Sequence, residues 1–225
     1  MLRVEIRRKS VPSAAGPRIV IEGLQFELAR EEIVALVGPS GCGKTTVLRI
    51  VAGLDTAFEG RVEWLGRRPR IGTVFQEPRL LPWRTVRQNL ALVRPPDPSR
   101  AERLLEALGV PHVADLYPSA LSLGMARRVA LARAFAFAPD VLLLDEPFVS
   151  LDPAAADAAR AVFLNTWRAR PSAALLVTHD RAEAASLADR ILLLSASGPA
   201  CVIDIPAQSR RRGMTEGARI AASLT

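Results

Sequence analysis

Residues 38–45 read Gly-Pro-Ser-Gly-Cys-Gly-Lys-Thr, which fits G-x-x-x-x-G-K-[ST] without a gap. These residue types suit the holding of phosphate. Gly38, Gly41 and Gly43 let the backbone bend until its N–H groups close around phosphate oxygens, with Pro39, Ser40 and Cys42 between them and Thr46 just after. A helix that starts here adds the positive end of its dipole. Lys44 is placed to reach β- and γ-phosphates, and Thr45 to offer a hydroxyl to Mg²⁺. A chance glycine turn is the bland alternative. Against it, only Lys9 and Lys44 among the 30 basic residues are lysine.

A second group is Val141-Leu-Leu-Leu-Asp145-Glu146-Pro147. A buried strand ending in two acids carries carboxylates to the carboxyl edge of a sheet, where ligands sit in open α/β folds. Asp145 suits a magnesium shell, and Glu146 suits the polarising of an attacking water. A strand that ends in Asp-Glu can also be a simple edge cap, but the phosphate loop upstream favours the chemical reading.

Elements must position these groups. LRVEI and RIVIEGLQFEL alternate apolar and polar residues around a turn at 14–17, and EIVALV is a strand-sized apolar run. Helical spacing then follows, with Val47, Ile50, Val51 and Leu54 on one stripe. RVEWL and RIGTVF are further strands. The middle third predicts helices over RTVRQNLALV, SRAERLLEALGV and SALSLGMARRVALARAFAF, separated by Pro95-Pro96 and Tyr117-Pro118. The last third alternates strand VLLLD, helix PAAADAARAVFLNTWRA, strand AALLVTH, helix RAEAASLA and strands RILLLS and ACVIDI. Continuous apolar strands alternating with helices predict an α/β fold with a mainly parallel sheet buried on both faces.

Composition excludes several classes. The chain has 225 residues, 49% hydrophobic and 24% charged, which is a globular balance. No apolar run approaches the ~18–20 residues needed to cross a bilayer, and the charged N-terminus has no signal-peptide core. The expectation is a cytoplasmic protein. Cys42 and Cys201 stand far apart and form no metal spacing or disulfide framework.

With these motifs in order, residues 1–205 resemble the ATP-binding subunit of an ABC transporter. Gln76 in VFQEP matches the family's glutamine loop, which senses magnesium and the permease. Leu121-Ser122-Leu123-Gly124-Met125 stands at the signature position, followed by RRVALARA. Ser150-Leu151-Asp152 matches the loop that crosses the dimer interface, and His179 in VTHD the switch histidine. Each has a bland reading alone. Gln76 could be a surface loop residue and His179 a turn histidine, while Ser122 and Asp152 read as helix N-caps, the latter before Pro153. The order and spacing decide for the cassette: Lys44 and Ser122 are 78 positions apart, Ser122 and Asp145 are 23, and Asp145 and His179 are 34.

The resemblance implies a P-loop NTPase (RecA-like) core with an N-terminal antiparallel β subdomain and an inserted helical subdomain. The expected division is 1–78, 79–138 and 139–205, with a basic tail over 206–225. It also implies ATP and Mg²⁺ as ligands. Thr45, Gln76 and Asp145 would hold the metal, and Lys44, Glu146 and His179 would act in hydrolysis. The nucleotide would lie between residues 38–46 and Gln76 of one subunit and Ser122, Gly124 and Asp152 of another, in a homodimer or heterodimer. The expected partners are transmembrane permease subunits and, indirectly, a periplasmic solute-binding protein, with the chain peripheral on the inner membrane face. EPRLLPWRTVRQNL is the segment expected to touch the permease. LLPWRTVRQNLAL, Met125 and DEPFVSLD resemble importers of the nitrate, sulfonate and taurine group.

Three departures stand out. No aromatic occupies the adenine-stacking position near Ala14 or Ala15, which predicts weaker ATP binding and poorer base discrimination. Leu123 replaces the first signature glycine. Arg30-Glu31-Glu32 replaces a glycine turn. The rivals are an exporter ATPase, a nucleic-acid ATPase of the same fold, a ribosome-associated protein with two cassettes in one chain, and a regulatory subunit without catalysis. The gap before the signature holds neither heptads nor zinc cysteines, there is room for one cassette only, and Glu146 is present. Nucleic acid is not an expected partner. The net charge of +7 is concentrated in residues 1–10 and 206–225, each +3. Those ends are expected to be solvated tails or to lie near anionic lipid.

Overall fold

The computed structural model describes residues 2–14, 16–92, 97–136, 138–195 and 203–206. Their packing divides them into two units. The first holds the described residues of 1–69, 143–145 and 173–206, and the second those of 70–142 and 146–172.

The first unit contains two sheets. In one, β1 (Leu2–Val11) pairs antiparallel with both β2 (Arg18–Leu28) and β4 (Glu59–Trp64). Leu2, Val4 and Ile6 are buried while Arg3 and Arg7 face solvent, as alternation requires. The register then shifts between Ile6 and Arg8 against β4, and between Lys9 and Ser10 against β2. A slip of one residue changes which face a side chain takes, and Lys9 turns inward. The side chain is 6% exposed, and its ammonium donates to Asp55 Oδ1 (2.7 Å) and to the Ala57 carbonyl (2.8 Å). The basic N-terminal stretch is thus the central strand of a sheet. This corrects the expectation of a solvated tail there: Lys9 is consumed by an ion pair, and Arg3 pairs with Glu27.

The other sheet runs β6 (Val141–Asp145, of which 143–145 fall in this unit), β7 (Ala173–Thr178), β3 (Ile33–Val37), β8 (Arg190–Leu193) and β9 (Ile203–Pro206). β3 is parallel to β7 and β8, and β9 is antiparallel to β8. Every residue of β3, β6 and β7 is buried, as expected for a sheet with both faces covered. Helices α1 (Lys44–Val51) and α6 (Arg181–Leu187) pack beside β7, and α6 also beside β3. The α/β class expected from the sequence is observed. Glu31 takes φ +59° in the turn before β3, while the Glu32 carboxylate accepts from the Ala29 N–H and from Arg190. The turn therefore forms without glycine. One expectation fails: Leu54 does not extend the buried stripe of α1. The helix ends at Val51, Gly53 reverses at φ +71°, and Leu54 is 55% exposed.

The second unit is mainly helical. It holds the short strand we label β5 (Ile71–Val74), α2 (Val86–Leu90), α3 (Pro98–Ala107), α4 (Leu123–Ala136) and α5 (Pro153–Ala169). Helix α4 packs on α3, α2 and β5. Phe163 of α5 stacks on Phe135 at 6.0 Å and meets Phe148 edge-on at 6.3 Å. Two predicted helices are shorter than expected. Helix α2 spans five residues, opened by a Thr85/Gln88 capping box, and 118–120 form one 3₁₀ turn ahead of α4. Fully buried Asn89 donates to the carbonyls of Leu81, Arg84 and Thr85 and accepts from the Leu81 N–H. These bonds pin the 81–85 loop, on which Trp83 is 69% exposed. The expected breaker Pro95-Pro96, the start of the ACVIDI strand and the tail beyond Pro206 lie outside the described residues.

Partial burial alone would raise the Asp55 carboxyl's pKa. Hydrogen bonds from Lys9 and the Ala57 N–H, with the charges of Lys9 and Arg49, outweigh it and hold the group below its ordinary 3.8. A depressed carboxyl stabilises the fold above the ordinary value, and that contribution is lost as pH falls through the folded value. Lys9→Met keeps the stem and removes the charge. We expect it to lower the unfolding free energy at pH 7 by about 1–2 kcal/mol, less than a fully buried pair. In urea titrations the difference from wild type should narrow below pH 3.8. A difference that stays constant into acid would contradict the assignment.

Candidate functional site

The loop between β3 and α1 leads into a helix that no side chain caps. Gly43 is the N-cap of α1 at φ +100°. The first N–H groups of α1 are therefore left for an anion. Gly43 is required here for a second reason: a Cβ would lie 2.9 Å from the Val20 carbonyl oxygen and 3.1 Å from Ile21 Cγ1. At Gly38 a Cβ would lie 2.7 Å from both Cys42 Sγ and the Leu194 oxygen. The loop is thus set tightly between β2 and the end of β8.

Side chains complete the cradle. Lys44 is buried, and its ammonium folds back to donate to the Gly38 (2.7 Å) and Pro39 (2.9 Å) carbonyls. Thr45 Oγ1 donates to Asp145 Oδ1 at 3.2 Å. Asp145, at the end of β6, is buried, and that strand holds it beside the start of α1. Thr46 is half-buried in the first turn of α1, while Ser40 and Gly41 are exposed. His179 follows β7 on a turn fixed by Asp180, whose carboxylate caps the N–H groups of Ala182 and Glu183. His179, Gly38 and Pro39 line one groove with Arg181 and Leu193–Ser195.

Arg18 at the start of β2 also reaches the loop, donating from Nη2 to the Gly41 oxygen at 3.1 Å. Sequence reading did not single it out. An arginine among many carries no local signal, and its approach to the loop depends on the packing of β2.

The remaining candidates fall in the second unit. Gln76 is exposed just past β5. Glu146 takes φ +47° and Ser150 φ +60°, both left-handed, at the two ends of the turn between β6 and α5. Such conformations cost roughly 1–3 kcal/mol each and persist where their surroundings impose them. Ser122 caps α4, accepting from the Met125 N–H at 3.2 Å, and Asp152 caps α5, accepting from Ala155 at 3.0 Å. Both N-cap readings of the sequence are therefore correct as geometry. A Cβ on Gly124 would lie 3.5 Å from Leu151 Cδ2, and Arg127 on α4 donates to the Val149 carbonyl. The start of α4 and the 149–152 loop thus form one cluster. Leu123 does not enter it: the side chain is 54% exposed.

Among described residues no helix is long and apolar enough to cross a membrane. A family model described as ABC transporter matches residues 21–149, more than half of the chain.

The chain belongs to the ABC transporter family.

Within this family it is similar to an aliphatic sulfonates import ATP-binding protein of Paracoccus denitrificans, 48% identical over 83% of this chain and 76% of that protein. It is also 40% identical to a Bacillus subtilis protein of the same description, over 86% of this chain and 79% of the relative. It is thus an ABC transporter ATP-binding subunit, similar to those of aliphatic sulfonate importers. Among solved structures it resembles the dimeric structure of a bacterial ABC transporter cassette, with TM-score 0.82 and 26% identity over 93% of this chain and all of that one. A post-hydrolysis dimer of that cassette bound to ADP and phosphate gives TM-score 0.80 at the same identity and coverage.

The fit of Gly43 generates a prediction for this ABC subunit. Gly43→Ala combines a disfavoured φ with a close contact to Val20. It should lower stability by about 2 kcal/mol and weaken ATP binding at least tenfold, read by thermal unfolding and by titration with nucleotide. Binding equal to wild type would contradict this account of the loop.

Proposed function

We propose that this chain hydrolyses ATP to power import of an aliphatic sulfonate, or a related small solute such as nitrate or taurine, through a separate transmembrane permease. The observation that carries the reading is the joining of Thr45 and Asp145, 3.2 Å apart, beside uncapped N–H groups at the start of α1. The names of its relatives supply the direction of transport and the solute class.

In this reading residues 38–46 cradle the phosphates, and Lys44 leaves its carbonyl partners for the β- and γ-oxygens. The fit to Mg²⁺ rests on the donor set. The Thr45 hydroxyl and Asp145 carboxylate are hard oxygens side by side, and Gln76 would add a third. When bound, the ion neutralises charge that builds on the phosphate oxygens. Glu146 orients the attacking water and His179 meets the γ-phosphate. Ser122 and Gly124, with the N–H groups opening α4, would bind the γ-phosphate of a second subunit, and Asp152 would stand at that interface. Two cassettes, identical or homologous, then close head to tail. Residues 1–205 form the working cassette in the division expected from the sequence, with 206–225 as a basic tail. The 77–90 segment, including Trp83, meets the permease at the inner membrane face, and a periplasmic solute-binding protein delivers the solute.

The experiment is reconstitution with permease and solute-binding protein in vesicles. Glu146→Gln should retain ATP binding while turnover falls about a hundredfold or more and sulfonate uptake stops. Turnover equal to wild type would overturn the assignment.

A further inference from the structure

We propose that Arg18 is the nucleoside anchor of this site, its guanidinium plane serving as the platform on which the purine ring stacks. The inference rests on the ATP-binding reading and deepens it. Three observations carry it. First, Ser13, Ala14, Pro17 and Ile19 place no aromatic ring ahead of the loop, and the chain's sole tyrosine is Tyr117 in the second unit. Second, the Arg18 side chain is exposed, yet its Nη2 is tied to the Gly41 oxygen at 3.1 Å, so the guanidinium is positioned at the loop. Third, β2 cannot draw away, because the Val20 carbonyl and Ile21 side chain abut Gly43 as closely as the missing Cβ allows.

The chemistry favours the base over the phosphates. In a phosphate nest the N–H groups converge on the anion and the carbonyls face outward. Lys44 also donates to loop carbonyls, but it is buried, whereas Arg18 is exposed and donates to the exposed Gly41, so its guanidinium lies on the solvent-facing side of the loop. A nucleotide gripped by its phosphates must project its nucleoside toward such a side. A planar, weakly hydrated guanidinium stacks well on an aromatic face, and an ammonium does not. Every purine has such a face, so the platform holds adenine and guanine alike.

The test compares titrations of the full chain with ATP, GTP and inorganic tripolyphosphate. Arg18→Ala should weaken ATP and GTP about tenfold each and leave tripolyphosphate within twofold. Arg18→Lys should behave like the alanine variant, and Arg18→Trp should restore ATP affinity. Arg18 is exposed, so these variants should unfold at the wild-type midpoint. Unchanged ATP affinity in Arg18→Ala would overturn the inference. An equal loss for tripolyphosphate would do so too, because it would make Arg18 a phosphate contact. Full rescue by lysine would also overturn it. If wild-type protein bound neither ATP nor tripolyphosphate, the nucleotide reading itself would fail and this inference with it.

Discussion

An α-helix leaves its first N–H groups without partners, and most α-helices among the described residues fill that need from within. Thr85, Asp97, Ser122, Asp152 and Asp180 each turn a side-chain oxygen onto the start of a helix. Helix α1 is different. Its N-cap is Gly43, which has nothing to offer, and the residues before it contribute backbone alone. Much of the first unit is arranged around this uncapped helix start. β3 delivers the chain to the loop from a fully buried position, β2 closes on Gly43, and the end of β8 closes on Gly38. The positive end of α1 thus stays open to an anion, and only an anion suits it.

Placement of charge follows from the same constraint. The chain uses 28 arginines and only two lysines, and both lysines are buried. Arginine's five donors and wide fork suit half-exposed pairs such as Arg190 with Glu32. An ammonium is compact enough to fold into a loop or under a strand, as Lys44 and Lys9 do. Lys9 closes the loop after α1 through Asp55, so both lysines bear on the segment that runs from Gly38 to Ala57. In the second unit the left-handed Glu146 and Ser150 bracket a turn that Arg127 and Leu151 hold against the start of α4.

Much of this was legible in the sequence, for physical reasons. The buried strands β3, β6 and β7 are continuous apolar runs, and the phosphate loop has a composition that few other turns would use. Ser122 and Asp152 announce helix starts because capping is a local interaction. What escaped depends on contacts distant in the chain. The inward turn of Lys9 follows from register slips against two other strands, and Arg18 acquires its place from the packing of β2. The ends of helices were misjudged where apolar spacing continued past a reversal, as at Leu54 beyond Gly53. The N-terminal charge suggested a tail because composition does not see strand pairing.

The central claim is that uncapped N–H groups and one buried lysine make a triphosphate site. Lys44→Ala removes the ammonium and leaves every N–H in place. Isothermal titration of wild type and this variant with ATP tests the claim most directly. The account predicts saturable one-to-one binding in wild type and a loss of affinity of about a hundredfold in Lys44→Ala, since a charge-assisted contact in a half-buried loop is worth about 3 kcal/mol. Equal affinity in the two proteins would contradict it.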